Sequence, residues 1–476
     1  MSDELTSQSD TSSEDSEPMN NEIIPVLSTN GSPRSAGCVK LSLDDHIRAF
    51  LKKENLDRQF ECLNCSSELM DKVVSNYLIV KQIMSNMHWR DKLLCKQVCT
   101  TWHSAVQALR REQLAPMDFS MDSLLSSSIW ATSSDLVNEP LVVMTFVNGA
   151  GLSMIRLCQS IYPPPCSVPC FDVHNLLDAI QKYTCAPKEC VNIIRSDYIS
   201  YMPVPTSVTY KLIIDHLSTK PYLVGLSIPV IPDVKFHTIN IRSKTNIQQD
   251  FYEVVQNISE DRIFKGIFVY VTDRYLLHSG QDIFFLNRFK EVQPDIPYAL
   301  GGCIIEDTLF KHSDLEGVVK RVDKHRDFIS GNLVSISMFT IPKNPQSNEC
   351  NFNMYSVVLE SSVWSKVKIQ QTINDFSKRV PQFEYSVVVK LSCVGRDKKH
   401  KWEQDCFRAV FPNTRLVGCY GNGELGVDHP PKPDASPYPQ VKKPCPAPNP
   451  RHGLVYSYST VFVYMGWGKI LSNGPP

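Results

Sequence analysis

Between residues 73 and 111 the apolar positions recur at helical spacing. Tyr77, Val80, Met84 and Met87 fall at i, i+3, i+7 and i+10, one stripe of a 3.6-residue helix that Leu78 and Ile83 widen. Trp102, Ala105, Val106 and Leu109 form a second stripe at i, i+3, i+4 and i+7. Between the two, Asp91 stands where an N-cap would start the short Lys92-Leu93-Leu94-Cys95 turn, and Ser75 or Asn76 is placed to cap the first helix. Three short helices bury little surface among themselves, so part of this apolar set must meet a partner or the rest of the chain.

From about residue 118 onward the pattern changes to short apolar runs of β-formers. Leu141 to Val147, Tyr222 to Ile228 and Ile267 to Val271 are each bounded by polar, Gly or Pro residues and predict buried strands. Helical spacing returns at Val173, Leu176, Leu177 and Ile180, and again at Ile369, Ile373, Phe376 and Val380. The expectation is an α/β body of mixed α+β character in two parts, 118–345 and 346–476, joined near 341–352 where Pro342-Lys343-Asn344-Pro345 interrupts regular structure. Residues 430–450 alternate proline with polar residues and predict an extended insertion loop, and residues 1–38 are too acidic, serine-rich and poor in apolar groups to order by themselves.

Candidate chemistry is sparse. Gly421-Asn422-Gly423-Glu424-Leu425-Gly426 fits G-x-G-x-x-G after a strand, Arg415 to Tyr420, yet it leads into the proline loop rather than a helix. Without helix amides there is no phosphate cradle, and a tight turn with positive φ at the glycines is expected instead. Cys166, Cys170, Cys185 and Cys190 form two close pairs, but a helix over 171–183 would hold the pairs roughly 20 Å apart, against zinc–sulfur bonds of about 2.3 Å. Cys62 and Cys65 have no mate at ribbon spacing, so no metal is expected. Cys393 ends a strand from Tyr385 just before Arg396, Lys398 and Lys399, whose charges would favour a thiolate; a nucleophile would also need a base, for which His400 and His429 are the neighbours in sequence.

The segment Ser75 to Met84, followed by Val98-Cys99-Thr100-Thr101-Trp102, resembles an F-box over about 71–115, with Asn76 where F-boxes usually carry proline. Leu391-Ser392-Cys393-Val394-Gly395-Arg396, Asp405 to Pro412, Leu416 to Gly426 and Tyr456 to Thr460, in that order, resemble a FIST C-terminal domain. From about 190 to 345 the match to a FIST N-type region is only collinear, in strands and glycines such as Ala299-Leu300-Gly301-Gly302.

The resemblance implies a substrate receptor of a Skp–cullin–F-box ubiquitin ligase. The three-helix F-box would grip a Skp-type adaptor, and through it a cullin scaffold, with Leu78, Ile83, Met84, Leu93, Leu94, Val98, Cys99 and Trp102 as the adaptor-binding residues. The FIST-like body would present a target for proteasomal degradation. Cys393, Gly395, Arg396, Gly421, Asn422 and Glu424 are the candidate substrate- or ligand-binding residues, because glycine-punctuated loops at strand ends are where α/β folds place binding groups. The chain would then not itself be a catalyst and would need no cofactor. A second class, a small-ligand-sensing signalling module, follows from the likeness of FIST domains to ligand-binding modules. A third, a thiol enzyme, rests on Cys393 alone.

Composition narrows the partners. With 49 basic and 50 acidic residues in 476, no global field favours nucleic acid or an anionic membrane. No run reaches the roughly 18 apolar residues a membrane span needs, and the start Met1-Ser2-Asp3-Glu4 opens no signal sequence. A cytoplasmic or nuclear protein whose 16 cysteines stay reduced is expected.

Overall fold

The computed structural model describes residues 67–122, 130–131, 138–149, 180, 184–204, 221–243, 245, 247–275, 283–309, 331–344, 351–360, 363–432, 455–456 and 458–472. The expected head at 1–38, nearly all of the expected 171–183 helix, most of the 430–450 loop and the cysteines at 62, 65, 166 and 170 lie outside them. The fold is mixed α/β. No helix among the described residues is long and apolar enough to cross a membrane.

Four helices come first: α1 (Ser67–Ser75), α2 (Tyr77–Ser85), α3 (Trp89–Cys95) and α4 (Thr100–Glu112). Asn76, not Ser75, caps α2, its side chain accepting from Leu78 N at 3.0 Å and Ile79 N at 3.3 Å. His88 rather than Asp91 caps α3, and Asp91 lies inside that helix's first turn, where a carboxylate still suits the helix dipole. Val80, Met84, Ala105, Val106 and Leu109 form the small core of this module.

Three sheets follow. The first runs in the order β10 (Asp307–Leu309), β4 (Val191–Arg195), β3 (Pro140–Val147), β6 (Pro221–Pro229), β1 (Met117–Asp122), β2 (Trp130–Ala131). The second runs β16 (Val455–Tyr456), β15 (Glu424–Gly426), β9 (Ala299–Ile305), β8 (Arg262–Thr272), β11 (Val334–Pro342), β7 (Lys235–Ile241). The third runs β12 (Asn353–Leu359), β17 (Thr460–Ser472), β13 (Gln382–Cys393), β14 (Arg415–Gly421), β5 (Tyr198–Met202). Within each sheet one neighbouring pair is parallel, β3–β4, β8–β9 and β13–β14.

The sheets share one core. Phe146 from the first, Tyr270 and Cys303 from the second, and Leu391, Cys419 and Val463 from the third belong to the same buried cluster. The opposite face of the second sheet is covered by α5 (Val254–Asp261) and α6 (Asn287–Val292), whose Val255 and Phe289 pack with Ile267, Val269 and Ile336. The third sheet carries α7 (Lys366–Ser377) and α8 (His400–Val410), with Ile369, Ile373 and Phe407 against Val388, Phe462 and Tyr464. Successive residues of a strand point to opposite faces, so Val387 and Val389 enter the common core while Val388 meets the helices. Strands covered on both sides must be apolar throughout, which is the origin of the unbroken apolar runs.

The expected division near residue 345 does not separate sheets. β5 pairs with β14, and β15 pairs with β9, so strands from either side of 345 complete each other's sheets. The glycine turn is the crossover: β14 ends in the third sheet at Gly421, and three residues later Glu424 opens β15 in the second.

Candidate functional site

The helical module presents a divided surface. Leu78, Ile83, Leu94 and Val98 are 73, 52, 66 and 64 % exposed. Asn76 and His88 cap α2 and α3, and α2 is tied to α4 by Lys81 Nζ on Glu112 Oε1 at 2.6 Å. Cys99 is exposed beside Val98. Other residues expected on this face belong elsewhere. Met84 is buried in the module's own core, because it follows Val80 by one helical turn and so shares its inward direction. Trp102 is half-buried against that core, and its indole N–H donates to Val74 O at 2.8 Å. Leu93 is half-buried and turns toward Pro229 and Val230 of the body.

The second expected site, at the ends of β13 and β14, is not an open surface. Arg396 and Glu424 are buried, as is Gly421, while Gly395 and Asn422 are exposed. Arg396 is engaged by other groups of the chain. Its Nε donates to Glu403 Oε1 at 3.0 Å, its Nη2 reaches the same oxygen, and its Nη1 donates to Tyr458 O at 2.8 Å. Glu403 also receives Lys390 Nζ at 3.1 Å and Thr460 Oγ1 at 2.9 Å on Oε2. One carboxylate with two cations is a fully buried triad that fixes the end of β13 to α8.

Glu424 is held separately. Its Oε2 accepts Ser459 N at 3.2 Å and Ser459 Oγ at 2.8 Å, while Oε1 is buried without an N–H or O–H partner. Burial pushes this carboxyl up to about 8, against the lowering effect of the Ser459 hydrogen bonds and of the Arg396 charge. Burial thus favours the protonated form of Glu424.

Cys393 lies at the rim of the same cluster. Burial, and then the Glu424 carboxyl, raise its thiol, outweighing the backbone N–H groups and Arg396 that act the other way. This corrects the expectation of a cation-stabilised thiolate. Neither candidate base hydrogen-bonds it among the described residues. The His400 ring sits 4.0 Å from that of Tyr420 and is driven down to about 2 by burial and by Lys390 and Arg396. His429 stacks on Tyr355 at 5.5 Å and is lowered to about 4 by burial.

The G-x-G-x-x-G stretch opens no helix. Within this stretch positive φ occurs at Gly423 (+145°), and Gly421 is required by space, since a Cβ there would stand 2.3 Å from Ile304 O. Sequence reasoning missed Glu403, Lys390 and Ser459. Glu403 carried a faint signal, a carboxylate four residues before Phe407 on the apolar stripe of α8, where an unpaired charge would be costly.

No family model matches the chain, and no curated protein does. Among solved structures it is similar to a cyanuric acid hydrolase from A. caulinodans at 7 % identity and a TM-score of 0.29, covering 68 % of this chain and 90 % of that one. A second cyanuric acid hydrolase structure gives 8 % identity and a TM-score of 0.30, covering 69 % and 90 %. Both are named hydrolases, so the expectation that this chain is not a catalyst is corrected and goes no further. At TM-scores of 0.29 and 0.30 the likeness assigns no reaction and no substrate here.

Proposed function

We propose that the chain is a substrate receptor of a Skp–cullin–F-box ubiquitin ligase, with residues 71–115 as the F-box and the mixed α/β body, in its FIST-like layout, as the platform for the target. The observation that carries this reading is the outward face of the helical module. Leu78, Ile83, Leu94 and Val98 remain exposed, although Val80, Met84, Ala105, Val106 and Leu109 already close the module's core. Large apolar side chains left exposed on a small helical module are the kind of surface a protein partner desolvates. A Skp-type adaptor is the occupant that the F-box resemblance of 75–84 and 98–102 names, and a cullin scaffold would follow through it. The receptor would act in the cytoplasm or nucleus by holding its target close to the transferring subunits.

Co-purification with a Skp-type adaptor tests the reading. Leu78→Asp combined with Val98→Asp should abolish capture while melting is unchanged, because neither side chain contributes to the core. Undiminished capture by the folded double variant would refute it.

A further inference from the structure

Among the described residues the two most exposed large apolar side chains are Val363, at 87 %, and Val367, at 74 %. Val363 precedes α7 and Val367 lies in its first turn, while Trp364 between them is half-buried against the core beneath the helices. Trp402, in the first turn of α8, is 41 % exposed.

The topology brings these two helix starts together. β12 and β13 each run antiparallel to β17, so they are parallel to each other, and α7 and α8, which follow them, begin at the same end of the third sheet. Ile369 and Ile373 of α7 share one core cluster with Phe407 of α8, so the helices lie side by side. Lys399, just before α8, fixes the junction by donating from Nζ to Trp364 O at 2.8 Å. Lys366 of α7 is near enough for its charge to act on the Cys406 thiol, one turn beyond Trp402.

Lysines surround the apolar tips. Lys366, Lys368 and Lys401 are exposed and make no ion pair among the described residues. The Nζ atoms of Lys368 and Lys432 lie 5.8 and 5.9 Å from the centre of the Trp364 ring. Lys432 is neutralised by Asp428 at 2.8 Å and Glu360 at 3.1 Å, Lys398 stands beside Asp397 in the sequence, and Asp405 is exposed further along α8. The balance at this end stays positive, an excess that the near-neutral total of the whole chain conceals. Arg396 is buried on Glu403, so the exposed cations here are lysines.

This combination selects among occupants. Isolated aliphatic tips would each need a pocket in a protein partner, and recognition of nucleic acid relies on arginine forks and stacked rings. A bilayer needs neither, because its fluid hydrocarbon accepts single protruding side chains, its interface favours tryptophan, and its anionic headgroups attract point charges on flexible stems. We propose that the paired starts of α7 and α8 are a peripheral docking surface for an anionic lipid membrane, with Val363, Val367 and Trp402 entering the interface and Lys366, Lys368 and Lys401 meeting the headgroups. This surface stands independently of the receptor reading.

The test is co-flotation of the full chain with vesicles of phosphatidylcholine alone and of equal parts phosphatidylcholine and phosphatidylserine. The expected result is binding to the mixed vesicles only, weakening as salt is raised. Val363→Asp with Val367→Asp, and separately Lys366→Glu with Lys401→Glu, should each lower the bound fraction at least tenfold at unchanged melting temperature. Brominated lipid should quench part of the tryptophan emission, a part that Trp402→Phe removes. Equal binding to both vesicles, no binding, or binding untouched by either double variant would each overturn the proposal. Loss with the lysine pair but not with the valine pair would overturn it as well, leaving adsorption by charge alone. Capture of polyglutamate or of an RNA homopolymer without vesicle binding would assign the surface to an acidic macromolecule instead.

Discussion

Arg396 and Glu403, seven residues apart, meet through two guanidinium nitrogens on one carboxylate oxygen, both side chains fully buried. Lys390 joins on the other oxygen. Glu403→Ala would leave two buried cations without a counter-ion, and breaking such a group typically costs about 3–5 kcal/mol. Urea unfolding of the variant should show a loss of that order; a change below about 1 kcal/mol would mean that the triad is not closed.

Met84 and Leu78 should behave as opposites although both stand on α2. Met84→Ala removes a side chain packed in the module's core and should cost about 2–5 kcal/mol. Leu78→Ala removes one that is 73 % exposed and should leave melting nearly unchanged while weakening adaptor capture. Thermal melts and pull-downs on the same two proteins check the contrast.

Glu424 makes stability depend on pH in a definite direction. Its folded value of about 8 lies above the ordinary 4.5, so between the two the folded state holds a proton that the unfolded chain has released. This contribution to stability is full below the lower value and is lost as pH rises toward the upper one. Glu424→Gln mimics the protonated acid. The melting temperature of the variant relative to the parent should therefore climb between about pH 5 and about pH 8, and a flat difference would show that the carboxylate is ionised throughout.

Gly418 has no room for a side chain. A Cβ would stand 1.8 Å from Lys390 O across the parallel β13–β14 pair. Gly418→Ala should push these central strands apart and cost more than about 3 kcal/mol, measured as a fall in the denaturation midpoint.

Periodicity in the sequence determined the local elements. The stripes of Val80 and Leu109, the buried runs at Leu141, Tyr222 and Ile267, and the helix carrying Ile369 and Phe376 all appear as expected, because side-chain direction repeats with each helical turn or alternates along each strand. Spacing also excluded a phosphate loop at Gly421, since the chain beyond it forms the short strand Glu424–Gly426 rather than a helix.

Which face of a stripe is core and which is left outside was decided by the tertiary structure alone. Met84 and Ile83 are adjacent and similarly apolar, yet one is buried and the other exposed, according to where α4 lies. The exchange of β5 and β15 across residue 345 has no local signature, because strand pairing depends on partners far away in the sequence. Arg396 and Glu424 stood as candidate binding residues because both follow strands in the sequence. Folding α8 over the end of β13 set Glu403 against Arg396 and left Glu424 to Ser459, since a buried charge takes the counter-ion that the packed elements bring to it.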